Sequence, residues 1–554
     1  MSSTKNILFI MCDQLRWDYL SCYGHPHLHT PNIDKLAERG VRFNRAYVQS
    51  PICCPSRASA YTGRYMSSHG ASVNFSALRP DELGMGDYLK PLGVRTALVG
   101  KTHSFPDRDG MARLDIEVES ELGQHLANIG FEPYWRDDGL HPITARSRDI
   151  EYNRYLREVG YDAENGWQKH ANSAVMENGE RLNGWFLKAG TYAADIDEPH
   201  SETPYATRRA MEFMEETGDN PWCLHLSYIK PHWPYIVPPP YHNMYTAESF
   251  IPLVADEGEL DDAHPVFRAY TQMSVSRNFQ RPEARAAVMQ AYMGLIKQID
   301  DQIGQLMAFM EERGLLDNTM IVFTSDHGDY LGDHWLGEKS WFHECSARVP
   351  LIVVDPSEAA DATRNTTNDN LVEMIDLLPT FIEAYGGTIP THRLEGHSLV
   401  PLLHGNTPDD WRTFAVSEVD YADRGAKYIL DMPHNQCNTV MICTERWKYI
   451  HIDGFRPQLF DLKHDPDEIE DLGKLLEGTV DNYPPTINKA ELTAVIAQMQ
   501  QHLITFLLRR KTRITISNDG IDRIVEGTNR EKRGIFIGYY SEEDLPAEIR
   551  NQQS

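Results

Sequence analysis

Long hydrophobic runs are missing from this 554-residue chain. No stretch approaches the roughly 18–20 apolar residues that span a bilayer. The first apolar run, residues 7–12, is shorter than the about 7–15 residues of a secretory h-region and has no small-residue cleavage site after it. Positive charge is also short. There are 53 Lys and Arg against 81 Asp and Glu, a net charge of −28. A surface of that sign repels nucleic acid and anionic lipid, so any small anionic ligand needs a local positive site. Cysteine is sparse. The eight cysteines show no zinc-type spacing, which excludes a disulfide scaffold and a structural zinc module. Internal repeats and low-complexity tracts are absent. These absences lead to the expectation of a cytoplasmic protein with neither membrane nor nucleic-acid partners.

What is present is ordinary globular composition, 41% hydrophobic and 24% charged, in a chain long enough for more than one domain. Four apolar runs end in chemistry-bearing residues. Residues 6–12 end at Asp13-Gln14, and 94–100 at Lys101-Thr102-His103. Residues 222–228 lead to Lys230-Pro231-His232, and 320–324 to Ser325-Asp326-His327. Continuous runs of this kind read as buried parallel strands, and open α/β sheets bind ligands beyond the carboxyl ends of their strands. A helix opens at Thr30-Pro31 and closes before Gly40; a longer one with an apolar stripe covers about 283–313. The stretch 105–204 is polar, aromatic and irregular, an insertion around a site, and its Tyr, Trp and His content allows an aryl-binding wall. Short runs at 414–419, 439–443, 447–452 and 458–462 predict a small antiparallel sheet, followed by an amphipathic helix over 491–510. The expected organisation is an α/β catalytic domain over 1–385, an α+β subdomain over 386–510 and an arm over 511–554 available for oligomerisation.

Residues 50–64 are the most informative segment. Pro55 suits the first turn of a helix, which sets Cys53 at its amino-terminal end, where free N–H groups and the dipole favour anions. Arg57, one turn in, adds a cation. These residues fit a vicinal thiol pair beside a capped helix. They also fit a thiolate nucleophile, although cysteine phosphatases separate Cys and Arg by six positions and here the spacing is four with a proline between.

Cys53-x-Pro55-Ser56-Arg57 with Thr62-Gly63-Arg64 resembles the signature of the sulfatase family in the alkaline phosphatase superfamily. Asp13, Gly100-Lys101-Thr102-His103, Lys230-Pro231-His232-x-Pro234, Thr324-Ser325-Asp326-His327-Gly328 and Lys339 follow the same order. The resemblance implies an alkaline-phosphatase-like fold, a large and mostly parallel mixed sheet sandwiched by helices. It implies that Cys53, not Cys54, is oxidised to formylglycine, whose hydrated diol is the nucleophile. It implies one divalent metal ion held by Asp13, Gln14, Asp326 and His327 with the oxygen derived from Cys53. The imidazole leaves Mn2+ and Ca2+ both open. Arg57, Lys101 and His103 would support the formylglycine; His232 and Lys339 would contact the transferring group and the leaving oxygen. Asn74 matches, loosely, a substrate-contacting amide of the phosphonate hydrolase branch. Asp329, Asp333, His334 and His343 are expected behind the ligands.

The metal pairs and the segment 226–232 look like the phosphonate monoester hydrolase and phosphodiesterase branch, whereas Lys101 and His103 look like true sulfatases. The pair is taken as the better substrate indicator. The expected activity is sulfate monoester hydrolysis of arylsulfatase type, with crossed activity toward phosphonate monoesters and phosphate diesters. The alternatives are a primary phosphonate monoester hydrolase or phosphodiesterase, and an unmodified Cys53 protein that binds anionic esters without turnover. Expected partners are a small anionic ester, a formylglycine-generating enzyme and further copies of the chain in a homodimer or homotetramer.

Overall fold

Two-sided burial of the apolar runs sets the architecture. The computed structural model describes residues 4–141, 149–477, 486–527 and 534–550. Its strands, in chain order, begin with β1 (Asn6–Asp13), β2 (Val41–Tyr47), β3 (Arg95–Gly100) and β4 (Glu132–Arg136). Three short strands, β5 (Ser173–Val175), β6 (Arg181–Asn183) and β7 (Ala193–Ala194), make a small separate sheet. Then come β8 (Trp222–Pro231), β9 (Thr319–Ser325), β10 (Arg348–Val354), β11 (Thr366–Asn368) and β12 (Val372–Glu373). Among the described residues the main sheet has nine strands in the order β11-β2-β10-β9-β1-β8-β3-β4, with β12 also on β2. The central strands β9, β1, β8, β3 and β4 run parallel; β10 is antiparallel to β9 and β2.

Along β1, Leu8, Ile10 and Cys12 face one core and Ile7, Phe9 and Met11 the other. Helices cover both faces, because each face of a strand buried on two sides needs an apolar partner. The long helix Pro282–Glu312 supplies Val288, Tyr292, Ile296, Ile299 and Ile303 to the first core. The helix Leu377–Ala384 supplies Leu377, Leu378 and Phe381 to the second.

Helix Pro31–Arg39 ends at Gly40 as the sequence predicts, but Gly40 is extended (φ −136) rather than left-handed. Its role is close approach: a Cβ there would sit 2.2 Å from the Val353 carbonyl oxygen on β10. The stretch 105–204 is less irregular than its composition implies, since it contributes β4 to the edge of the main sheet as well as the small sheet.

The carboxyl-terminal strands β13 (Ala415–Asp420), β14 (Asn438–Cys443), β15 (Trp447–Ile452) and β16 (Gln458–Asp461) form a four-stranded antiparallel meander. One face packs Met441, Ile450 and Ile452 with Tyr47, Ile52 and Trp341 of the main body. The other packs Ile442, Tyr449 and Leu459 against Leu492, Ile496 and Met499 of helix Lys489–Arg509. The arm carries helix Asn518–Gly527; residues 528–533 and 551–554 of it lie outside the described residues. No described helix is long and apolar enough to cross a membrane.

Candidate active site

The carboxyl ends of β1, β8, β3 and β9 converge on the amino-terminal end of one buried helix, Cys53–Thr62. Ile52 is its extended N-cap, so Cys53 is the first helical residue and Pro55 lies within the first turn, where its missing N–H costs nothing. Four residues on, Arg57 shares a face with Cys53. Its guanidinium is fully buried and nearly saturated. Nε donates to Asp326 Oδ2 (2.8 Å), Nη2 to Asp13 Oδ2 (3.0 Å), and Nη1 to the Lys101 carbonyl (2.9 Å) and Ser227 Oγ (2.8 Å). Arg57 thus ties four strand ends together and holds two carboxylates at fixed spacing.

Asp13, Cys53, Asp326 and His327 each aim one donor atom into a single cluster, all within 4.8 Å of one another and all buried. His327 Nε2 is 3.1 Å from Cys53 Sγ and 3.7 Å from Asp326 Oδ1. Its Nδ1 lies 2.8 Å from the Gly328 carbonyl, which fixes the ring with Nε2 toward the cluster. Two carboxylates, an imidazole and the Cys53 sulfur form a donor set that could hold a divalent cation. Gln14 stands beside the cluster in left-handed backbone (φ 67). Its N–H donates to Asp326 Oδ1 (3.0 Å). Its amide oxygen accepts from Lys339 Nζ (2.9 Å), and its NH2 donates to Asp329 (2.5 Å) and Tyr235 OH (3.0 Å). The structure therefore shows the Gln14 oxygen engaged by Lys339.

The cations are placed around these groups. Lys101 Nζ lies 2.5 Å from Asp13 Oδ2. Gly100 makes this possible: its backbone (φ 108) approaches β8 so closely that a Cβ would meet the Ser227 carbonyl oxygen at 2.0 Å. Burial opposes ionisation of Asp13, but Lys101 and Arg57 outweigh it and hold the carboxyl well below its usual range. Burial likewise opposes ionisation of Cys53, and Lys339, Lys101 and His327 outweigh it and hold the thiol far below its ordinary value. Three cations, Arg57, Lys101 and Lys339, thus face two carboxylates in a chain whose net charge is −28.

Lys339 rides on a strained loop. Leu331, His334, Trp335, Glu338 and Ser340 all have positive φ, each costing about 1–3 kcal/mol that surrounding contacts must offset. The loop is pinned by Tyr330 N–H to the Glu338 carbonyl (2.6 Å) and Ser340 N–H to the Pro51 carbonyl (3.1 Å), two residues before Cys53. His103 is also left-handed (φ 55). Its N–H and that of Thr102 donate to Asp138 Oδ1 (2.9 and 3.1 Å). Both its ring nitrogens are buried without a hydrogen-bond partner among the described residues. His232 Nδ1 is 2.6 Å from the Trp233 carbonyl, and burial pushes this imidazole down to about 3, so it stands neutral with Nε2 as an acceptor.

Asn74 is at the site but faces the helix: its amide oxygen accepts from the Cys54 N–H (3.2 Å), capping the helix that bears Cys53. Of the residues expected behind the ligands, Asp329 holds Gln14 and Tyr235, and Asp333 pairs with Arg16 (2.6 Å). His334 and His343 stack on each other at 3.8 Å, with His334 on Glu259 and His343 on Tyr330. Ser227, Asp138 and Tyr235 support the site and escaped the sequence reading. Each is an ordinary polar residue whose partner lies far along the chain.

This constellation on this fold defines a sulfatase: residues 5–387 match the family described as Sulfatase, and residues 332–480 match N-sulphoglucosamine sulphohydrolase, C-terminal. The chain belongs to the sulfatase family. Its relatives include the multifunctional alkaline phosphatase superfamily protein PehA of Trinickia caryophylli, 31% identical over 501 residues and covering 84% of this chain and 91% of the relative. The arylsulfatase of Clostridium perfringens is 28% identical, with 84% and 90% covered. Among solved structures, the phosphonate monoester hydrolase of Agrobacterium radiobacter superposes with a TM-score of 0.78 at 26% identity, covering 91% of this chain and 96% of that one.

Proposed function

We propose that this chain hydrolyses sulfate monoesters, as an arylsulfatase-type enzyme with crossed activity toward phosphonate monoesters and phosphate diesters. Its nucleophile is formylglycine, made from Cys53 by a formylglycine-generating enzyme. The observation that carries the reading is the buried Asp13–Cys53–Asp326–His327 cluster ringed by Arg57, Lys101 and Lys339. A bound divalent cation, Mn2+ or Ca2+, supplies Lewis-acid polarisation there, and hydrated formylglycine supplies a pair of geminal hydroxyls.

The chain's own residues do the rest. Asp13, Asp326 and His327, with Gln14 alongside, would hold the cation. Arg57 fixes the carboxylates and the helix that presents position 53. Lys101 and Lys339 attract the ester's negative charge, and His103 orients the nucleophile. As the bond to the leaving group breaks, its electron pair moves to the ester oxygen. Lys339 stabilises that oxygen. His232, neutral, serves as an acceptor for a substrate or nucleophile hydroxyl rather than as the acid.

A second reading makes phosphonate monoesters or phosphate diesters the primary substrates. Support for it comes from the 31% identity to the multifunctional relative and the 0.78 superposition on a phosphonate monoester hydrolase. The eight free cysteines support a reducing, cytoplasmic setting. We also propose a homodimer or homotetramer, because exposed apolar side chains gather near the carboxyl terminus: Leu508 is 81%, Ile537 67% and Tyr540 99% accessible. Light scattering on the full chain checks this; a monomer at micromolar concentration contradicts it.

Peptide mass spectrometry across Cys53 of protein from its native host tests the main reading. Conversion to the aldehyde supports it. An intact thiol in active protein overturns the nucleophile assignment, and an intact thiol in inactive protein favours an anion-binding role.

A further inference from the structure

Phe75 is a large apolar side chain, 67% exposed, in a backbone conformation that disfavours it (φ 70). It occupies the third position of the turn at 73–76, closed by Ser76 N–H to the Val73 carbonyl (3.1 Å) and Val73 N–H to Ser76 Oγ (3.2 Å). Positive φ there is ordinarily met by glycine or asparagine. The strain is held in place from both sides. Asn74 accepts from the Cys54 N–H, and the Ser76 carbonyl accepts from the Cys54 thiol (3.3 Å). Both anchors are therefore on the residue after Cys53. Phe75 packs edge-on against His103 (ring centroids 5.8 Å) and at a tilt against Phe105 (5.3 Å). A strained, exposed aromatic is thus anchored through its two neighbours to the residue that follows Cys53. A second aromatic cluster leads off from the other histidine: His232 stacks on Trp233 (4.5 Å), which meets Trp185 (5.0 Å).

We propose that Phe75 is a specificity-determining residue of this site, its ring packing against a planar or apolar leaving group while the ester's charged end sits on the cation cluster. This rests on the hydrolase reading above. Glycine at position 75 would relieve the backbone and remove only the ring, so fold and leaving-group recognition separate in one variant. An aromatic contact of this kind corresponds to about a three- to tenfold change in affinity for the group it packs.

The test compares wild type, Phe75→Gly and Phe75→Tyr on 4-nitrophenyl sulfate and ethyl sulfate. For Phe75→Gly, kcat/KM on the aryl ester falls about three- to tenfold, mostly through KM. Ethyl sulfate turnover stays within twofold, Tm does not fall, and Phe75→Tyr restores the aryl value. An equal loss on both esters, or no loss on the aryl ester, overturns the proposal. If no ester is turned over, calorimetric affinities of the same two esters for the same proteins make the same comparison. Failure of the hydrolase reading and failure of the Phe75 assignment are then separate results.

Discussion

Two buried charge clusters sit in this molecule, and they are built differently. At the strand ends, Asp13, Arg57, Lys101, Asp326, His327 and Lys339 surround Cys53. Where the carboxyl-terminal sheet meets the main body, Lys448 of β15 is equally buried. Its ammonium lies 2.9 Å from Glu344, 2.6 Å from Glu468 and 2.8 Å from the Phe342 carbonyl. The Lys448 ammonium is thus enclosed by two carboxylates and a carbonyl. The strand-end cluster is under-used by comparison: four donor atoms crowd together, and both ring nitrogens of His103 have no partner among the described residues. Burial and perturbed ionisation occur in both places, so neither marks a reaction centre alone. What sets the strand-end cluster apart is the four potential metal-ligating atoms gathered at the proposed nucleophile position.

The contrast can be broken by mutation. The largest effect is expected for Cys53→Ala, which should cut turnover at least about a thousandfold while Tm, read by differential scanning fluorimetry, stays within a few degrees. Undiminished activity would refute the nucleophile assignment. Lys448→Met should do the reverse. Leaving Glu344 and Glu468 buried without their cation costs about 3–5 kcal/mol, seen in chemical denaturation, whereas kcat/KM of the folded fraction stays within about threefold. Lys339→Met should lower kcat by about 10²–10³-fold, steepest for poor leaving groups, with stability unchanged or raised. A stability loss matching that of Lys448→Met would erase the distinction between the clusters.

Glu418 on β13 gives the mildest form of the contrast. Burial pushes it up to about 7, although the Ser67 N–H donates to it at 3.0 Å. A carboxyl raised on folding favours the native state fully below its unfolded value near 4.5, and that advantage is lost as pH rises through 7. Glu418→Gln should therefore raise Tm at pH 8 and leave it unchanged at pH 5. Equal gains at both would contradict the assignment of the shift.

Much of this was legible in the chain. The strands ending at Asp13, Gly100 and Ser325 fall where their apolar runs stop, because a strand buried on both faces writes itself as a continuous run. The β13–β16 meander matches its short runs to within a residue. The segment 105–204 was harder. Strand β4 carries Glu132, Pro133 and Arg136 at a sheet edge, so it lacks the run that reveals a central strand. At the site, the contiguous motif pointed to Cys53 and Arg57, but the work of Arg57 depends on Ser227 and Asp326, 170 and 269 residues away. The left-handed backbones of Gln14, Phe75 and His103 have no local signature, since none is glycine. Asn74, expected at substrate, has its amide oxygen on the Cys54 N–H, a contact that spacing does not reveal.

The most direct test of the central claim is a side-by-side kcat/KM panel on formylglycine-bearing, metal-loaded protein, with an aryl sulfate, a phosphonate monoester and a phosphate diester of the same leaving group. The account predicts turnover of all three with the sulfate preferred, and loss of all three together in Cys53→Ala. A clear preference for the phosphonate would transfer the primary activity to the second reading. Turnover that survives in Cys53→Ala would contradict the assignment of this cluster as the reaction centre.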